Sequence, residues 1–141
     1  ARSQLINKGK LAKKIDKNHV IILDGAHNVS GAKALSKVLS SIDTEWQLIF
    51  GYLKTRKPTD FLNELKSITQ KIITTEITGQ ENSFSSKELF EIIHKKGISV
   101  DKSKNLYEAI EIASQNKLNV FICGSLYLAG EFLKNNQTIP N

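Results

Sequence analysis

His19-Val-Ile-Ile-Leu-Asp-Gly-Ala-His-Asn-Val-Ser-Gly31 is the stretch on which the fold turns. Its first five residues form a short apolar run rich in β-branched side chains, the pattern of a strand buried on both faces. The run stops at Asp24 and Gly25, and beyond Ser30 the hydrophobic period changes. Ala32, Leu35, Val38 and Leu39 fall at i, i+3, i+6 and i+7, which is one face of a helix of about three turns. A buried strand that runs directly into an amphipathic helix opens an α/β unit.

The same alternation continues along the chain. Trp46-Gln-Leu-Ile-Phe50 reads as a second strand, closed by Gly51. Pro58 suits the first turn of a helix carrying Phe61, Leu62, Leu65 and Ile68. Lys71 to Thr75 reads as a third strand, and Gly79 to Ser83 as a polar loop. Ser85 or Ser86 caps a helix with Leu89, Phe90, Ile92 and Ile93, ended by Gly97. Ile98 to Val100 is a short strand, and Leu106, Ala109, Ile110 and Ala113 mark another helix. Asn119-Val-Phe-Ile-Cys123 is the last strand, followed by a helix with Leu128, Phe132 and Leu133 inward. Residues 1–18 are polar and basic, with apolar islands at Leu5-Ile6 and Leu11-Ala12. The expected fold is α/β, a Rossmann-like, mostly parallel sheet of five or six strands with helices on both faces.

Composition sets the outer limits. The 141 residues suit one domain spanning 1–141, and 40% hydrophobic with 24% charged residues is the balance of an ordinary globular chain. No apolar stretch approaches the roughly 20 residues of a membrane span. A single cysteine, Cys123, rules out an internal disulfide framework and a multi-cysteine zinc site. It reads as a buried small hydrophobe, and a reducing cytoplasm is the expected compartment. Lysine and arginine number 20 against 14 acids, a net charge of +6. Lys8, Lys10, Lys13, Lys14 and Lys17 crowd the first segment, while arginine appears only as Arg2 and Arg56. Without arginine clusters or interleaved aromatics, a solvated lysine face is preferred to a nucleic-acid surface.

In parallel sheets ligands bind at the carboxyl ends of strands, near a topological switch point. Three glycine-bearing loops occupy such ends: Asp24 to Gly31, Gly51 to Lys57, and Gly124 to Gly130. Asp24, at the end of a buried strand, must cap a helix, pair with a cation or meet a ligand. His27 suits a phosphate, a ribose or a metal, although a lone His and Asp make a poor metal set, so no metal is expected here. Lys54, Arg56 and Lys57 are phosphate-facing cations or solvated loop charges. Ser125 is a helix cap or a site hydroxyl, with Tyr127 beside it. The chain lacks the G-x-x-x-x-G-K-[ST] phosphate loop, the G-x-G-x-x-G fingerprint and the G-x-S-x-G elbow. It therefore has no obvious means of holding a triphosphate alone.

Three motifs make the chain recognisable. Leu23-Asp-Gly-Ala-His-Asn28, Phe50-Gly-Tyr-Leu-Lys54 and Gly124-Ser-Leu-Tyr-Leu-Ala-Gly-Glu131 resemble, in order and spacing, the C-terminal domain of folylpolyglutamate synthase/dihydrofolate synthase, a branch of the Mur ligase superfamily. The resemblance covers essentially the whole chain and implies the last domain of an ATP-dependent ligase. Such a ligase joins L-glutamate to dihydropteroate or a reduced folate through an acyl phosphate. It also implies that the phosphate loop, the magnesium sites and most of the pterin pocket belong to an N-terminal domain absent from this chain. The absence of methionine fits that expectation. This domain by itself is then expected to be inactive and to contribute no catalytic residue, and the parent is expected to be a monomer. Matching the family residue by residue implies nucleotide contacts for Asp24, His27 and Arg2, with Lys10 as the substitute for Arg2. It implies a place near glutamate for Ser125 and Tyr127. Two departures stand out: Val29 replaces a common proline, and Gln80 to Ser86 carries no arginine. The rival readings are another Mur-type amide ligase domain and a non-enzymatic basic module that binds nucleic acid.

Overall fold

A computed structural model describes residues 3–137. Six strands form one sheet: β1 (Gln4–Ile6), β2 (Ile21–Leu23), β3 (Trp46–Phe50), β4 (Thr69–Thr74), β5 (Val100–Lys102) and β6 (Asn119–Cys123). Five helices connect them: α1 (Val29–Ile42), α2 (Pro58–Asn63), α3 (Ser86–His94), α4 (Leu106–Ser114) and α5 (Leu126–Asn135). The strand order is β1-β2-β6-β3-β4-β5. Every pairing is parallel except that of β1 with β2. The expected α/β sheet with helices on both faces is the one found.

The central strands are almost entirely apolar because both faces are covered. β2, β3 and β6 are buried at every position. Their side chains divide between two cores. Ile21, Leu23, Ile49, Val120 and Ile122 pack beneath α4 and α5. Ile22, Trp46, Leu48, Phe50, Phe121 and Cys123 pack beneath α1, α2 and α3. The buried Gln47 is the polar member of β3. Its amide donates to the carbonyls of Ala113 (2.9 Å) and Leu118 (3.2 Å) and accepts from Asn116 (2.8 Å), tying the end of α4 to the sheet.

The edges depart from the apolar-run reading. β1 lies in the basic opening segment, where its three residues are too few to show a period. β5 is Val100–Lys102 rather than 98–100, since an edge strand tolerates Asp101 and Lys102 facing water. β4 starts at Thr69, two residues before Lys71. α2 ends at Asn63, so Leu65 and Ile68 are buried from the turns that follow it. Val38 and Leu133, expected inward, are exposed. Ser85 rather than Ser86 caps α3, in a reciprocal capping box with Glu88. Ser86 instead bonds Thr74 at the end of β4.

Asn136, just past α5, holds the opening segment in place. Its side chain accepts from the N–H groups of Leu11 and Ala12, both at 2.9 Å, and donates to the Lys8 carbonyl at 2.9 Å. Its own carbonyl accepts from the Lys10 N–H at 3.2 Å. Gly9 between them has φ +132°, and a Cβ there would collide with Asn136. We expect Asn136→Ala to leave two buried N–H groups unpaired and to cost about 2–3 kcal/mol. A lowered urea midpoint at unchanged slope would confirm it, and an unmoved midpoint would contradict it.

Candidate functional site

Because β6 lies between β2 and β3, the loops that follow these three strands emerge side by side at the carboxyl edge of the sheet. The sheet thus brings together the three glycine-bearing segments that are remote in sequence. Their junctions are direct. The Asp24 N–H donates to the Ile122 carbonyl at 3.0 Å, and the Gly124 N–H to the Ala26 carbonyl at 2.9 Å. Gly124 has φ +121°, and a Cβ on it would collide with the Gly51 carbonyl oxygen. Only glycine lets β6 leave the sheet this close to the end of β3.

Asp24 is buried, and both oxygens of its carboxylate accept hydrogen bonds. One oxygen accepts from the Ala26 N–H at 2.7 Å, and the other from the N–H (2.6 Å) and hydroxyl (3.0 Å) of Ser3. Its burial is thereby accounted for within the chain. Asn28 caps α1 by accepting from the Gly31 N–H at 2.8 Å. Between them His27 is exposed, its Nδ1 3.3 Å from the Gly25 carbonyl. The loop is braced from β3 by Tyr52, whose hydroxyl donates to the His27 carbonyl at 2.8 Å. Tyr52 is only 2% exposed, stacks on Phe50 and packs at a tilt against Phe61.

Two clefts result, and His27 lines both. The larger, about 560 Å³, includes Ser3, Asp24, Asn28, Gly31 and Leu126 in its walls. The smaller, about 170 Å³, includes Tyr52, Thr55, Arg56, Ser125 and Tyr127. Asp24 and His27 therefore meet in one cleft, and His27, Ser125 and Tyr127 in the other. Ser125 caps α5, accepting from the Tyr127 N–H at 3.0 Å, and Tyr127 is exposed at the mouth. Arg2 lies outside the described residues. Lys10 lines neither cleft; it sits near the amino end of β2. Of the three loop cations, Arg56 lines the smaller cleft, whereas Lys54 pairs with Glu88 at 3.4 Å. Tyr52 and Ser3 are the site residues that pattern reading overlooks. The Gly51-Tyr52 pair inside a recognised motif was the available signal for Tyr52, and Ser3 carried none.

The helices opening on the rim add partial positive charge. Neither α1 nor α5 has an acid in its first turn, so their free N–H ends favour anions. Burial pushes the Tyr52 phenol up to about 12, so it remains a donor throughout the neutral range. Burial, reinforced by the nearby Asp24, also pushes the Cys123 thiol up. With no exposed surface, Cys123 is a packing residue. Among the described residues no three His, Cys, Asp or Glu side chains gather as a metal site.

Tyr52→Phe keeps the ring and deletes the brace, so we expect a loss of about 1 kcal/mol. Its pH signature has a definite sign. Unfolded tyrosine ionises near 10 while folded Tyr52 holds its proton to about 12. Stability from this group is thus complete below pH 10 and declines from there to about pH 12. Denaturant titrations should show that decline diminished in Tyr52→Phe; identical alkaline profiles would contradict it.

Comparison with known proteins bears on the fold and the family. The family described as dihydrofolate synthetase, C-terminal domain, matches residues 7–135. A probable dihydrofolate synthetase of Schizosaccharomyces pombe is 26% identical over 128 residues, covering 81% of this chain and 30% of that protein. The chain thus spans less than a third of that curated relative. Folylpolyglutamate synthase of Mycobacterium tuberculosis, solved with ADP and AMPPCP, superposes with TM-score 0.73 at 20% identity, over 86% of this chain and 30% of that one. The Thermotoga maritima folylpolyglutamate synthase gives 0.73 at 23%, over 96% and 31%. Escherichia coli FolC, solved with DHPP and ADP, gives 0.71 at 18%, over 82% and 28%. At these identities the solved structures speak for the fold, whereas the family match covers nearly the whole sequence. The chain belongs to the dihydrofolate synthetase C-terminal domain family.

Proposed function

We propose that residues 1–141 form the C-terminal domain of an ATP-dependent ligase that adds L-glutamate to dihydropteroate or a reduced folate. The observation that carries this reading is the pair of adjoining clefts sharing His27, built from three loops on adjacent strands. Two ligands that must meet call for two pockets with a common wall. The relatives solved with ADP, and in one case DHPP, support a nucleotide and a pterin-like partner.

In this reading Asp24 and His27 face the nucleotide, in the cleft at the amino end of α1. Ser3 holds the Asp24 carboxylate, and Arg2 immediately precedes Ser3 in the chain. Arg2 is the third nucleotide contact of this reading. Ser125 and Tyr127 face glutamate across the smaller cleft. Transfer of the γ-phosphate to the pterin carboxylate gives an acyl phosphate; attack by the glutamate amine forms the amide and expels phosphate. The phosphate loop and the magnesium ligands come from the preceding domain of the parent, which operates as a cytoplasmic monomer. This chain closes the site, excluding water and presenting partial positive charge to phosphate. The motif set favours a folate substrate over another Mur-type acid.

The test is the complete ligase polypeptide, assayed for phosphate release that requires both glutamate and a pterin acid. Asp24→Ala should lower turnover at least tenfold, about 1.4 kcal/mol of transition-state stabilisation. Asp24→Asn keeps an oxygen for the Ala26 N–H and separates charge from capping. Wild-type turnover without a pterin requirement would refute the substrate. Turnover unchanged in Asp24→Ala would return Asp24 to loop capping alone. The 141-residue chain should release no phosphate when assayed alone, and any pterin-dependent turnover by it would refute the division of labour.

A further inference from the structure

A further cleft is remote from the rim. It measures about 720 Å³ and lies between β1, the turn at Ala12–Lys14 and the start of β2, near the amino end of that strand. Ile6, Ile15, Val20 and Ile21 line it, with Leu5 58% exposed beside them. Lys8, Lys10, Lys13 and Lys17 surround this apolar floor, against one acid, Asp16. None of the four lysines joins an ion pair among the described residues, whereas neighbouring Lys14 pairs with Glu111.

Three features separate this groove from an ordinary solvated face. The backbone of the segment bearing Lys8 and Lys10 is held by the hydrogen bonds of Asn136, so both side chains leave from defined points beside the groove. The floor is apolar, which a purely hydrated surface does not need. Among the described residues β1 is the sheet edge and pairs with β2 alone, leaving its outer side to another strand.

We propose that this groove docks an extended acidic segment of a separate protein, in which carboxylates alternate with apolar side chains. Strand addition to β1 would supply backbone hydrogen bonds, the floor would receive every second side chain, and the lysines would meet the carboxylates. Nucleic acid fits less well, because the lining offers no arginine and no Phe, Tyr or Trp for stacking. The partner is placed in trans because the groove turns away from the rim that the ligase reading gives to the remainder of the enzyme. That clause alone rests on the ligase reading.

The experiment is fluorescence anisotropy of a short labelled peptide alternating Glu and Val, titrated with the 141-residue chain and with the complete ligase. We expect saturable binding of similar affinity to both. Lys10→Glu combined with Lys13→Glu should weaken it at least about tenfold, and Leu5→Asp should weaken it severalfold. Circular dichroism melts check that each variant folds, and Lys10→Gln with Lys13→Gln replaces the double reversal if it does not. Equal binding of a Glu–Ser peptide or a DNA duplex would make the groove a general polyanion surface and overturn the proposal. Binding to the chain but not to the complete ligase would overturn the trans partner. The assay needs no turnover, so its failure and a failure of the ligase reading are separately visible.

Discussion

The insertion of β6 between β2 and β3 is the constraint on which the rest of the structure depends. β6 is late in the sequence, yet it supplies the parallel neighbour of both strands, through Ile21 to Leu23 on one side and Trp46 to Phe50 on the other. Its five residues are buried, and four of them serve the two cores, Val120 and Ile122 on one face, Phe121 and Cys123 on the other. Without it β2 and β3 would each present an unpaired apolar edge. The carboxyl ends of the three strands would then have no reason to meet, and neither cleft would exist.

The rim is built with little latitude. Gly124 leaves the sheet against the Gly51 carbonyl at a φ that favours glycine, and its N–H reaches back to Ala26. Tyr52 rises from the end of β3 to hold the His27 carbonyl, its ring fixed between aromatic neighbours. Asp24 uses its buried charge to fasten the Ala26 turn and Ser3. Among the described residues no buried side-chain polar atom lacks a partner. The exposed groups at the rim, His27, Arg56 and Tyr127, are thus carried on a framework whose own hydrogen bonds are complete. Preorganisation of this kind leaves such groups free to meet a ligand.

Legibility in the sequence followed burial. β2, β3 and β6 could be read because strands covered on both faces are continuous apolar runs between glycines or charges. β1 could not, since three residues of an antiparallel edge in a lysine-rich segment show no period. β5 was misplaced by two residues because Ile98, which precedes it, is more apolar than Asp101 and Lys102 within it. Ser85 and Ser86 are equivalent by pattern; the capping box of Ser85 with Glu88 and the reach of Ser86 to Thr74 at the end of β4 separate them. The site divides in the same way. Asp24, His27, Ser125 and Tyr127 sit in motifs that can be quoted, whereas Tyr52 matters through a hydrogen bond to a backbone 25 residues away.

The amino-acid sequence by itself determined the class of fold, the strand ends that carry the glycine-bearing loops, and the buried, packing character of Cys123. These depend on hydrophobic period and local turn chemistry, which act over a few residues. Tertiary structure alone decided that β6 lies between β2 and β3, that His27 is shared by two clefts, and that Asn136 positions Lys8 and Lys10. Each of these joins residues far apart along the chain. Such contacts exist only once buried area and strand pairing outweigh the loop entropy of bringing them together, and no local pattern records that outcome.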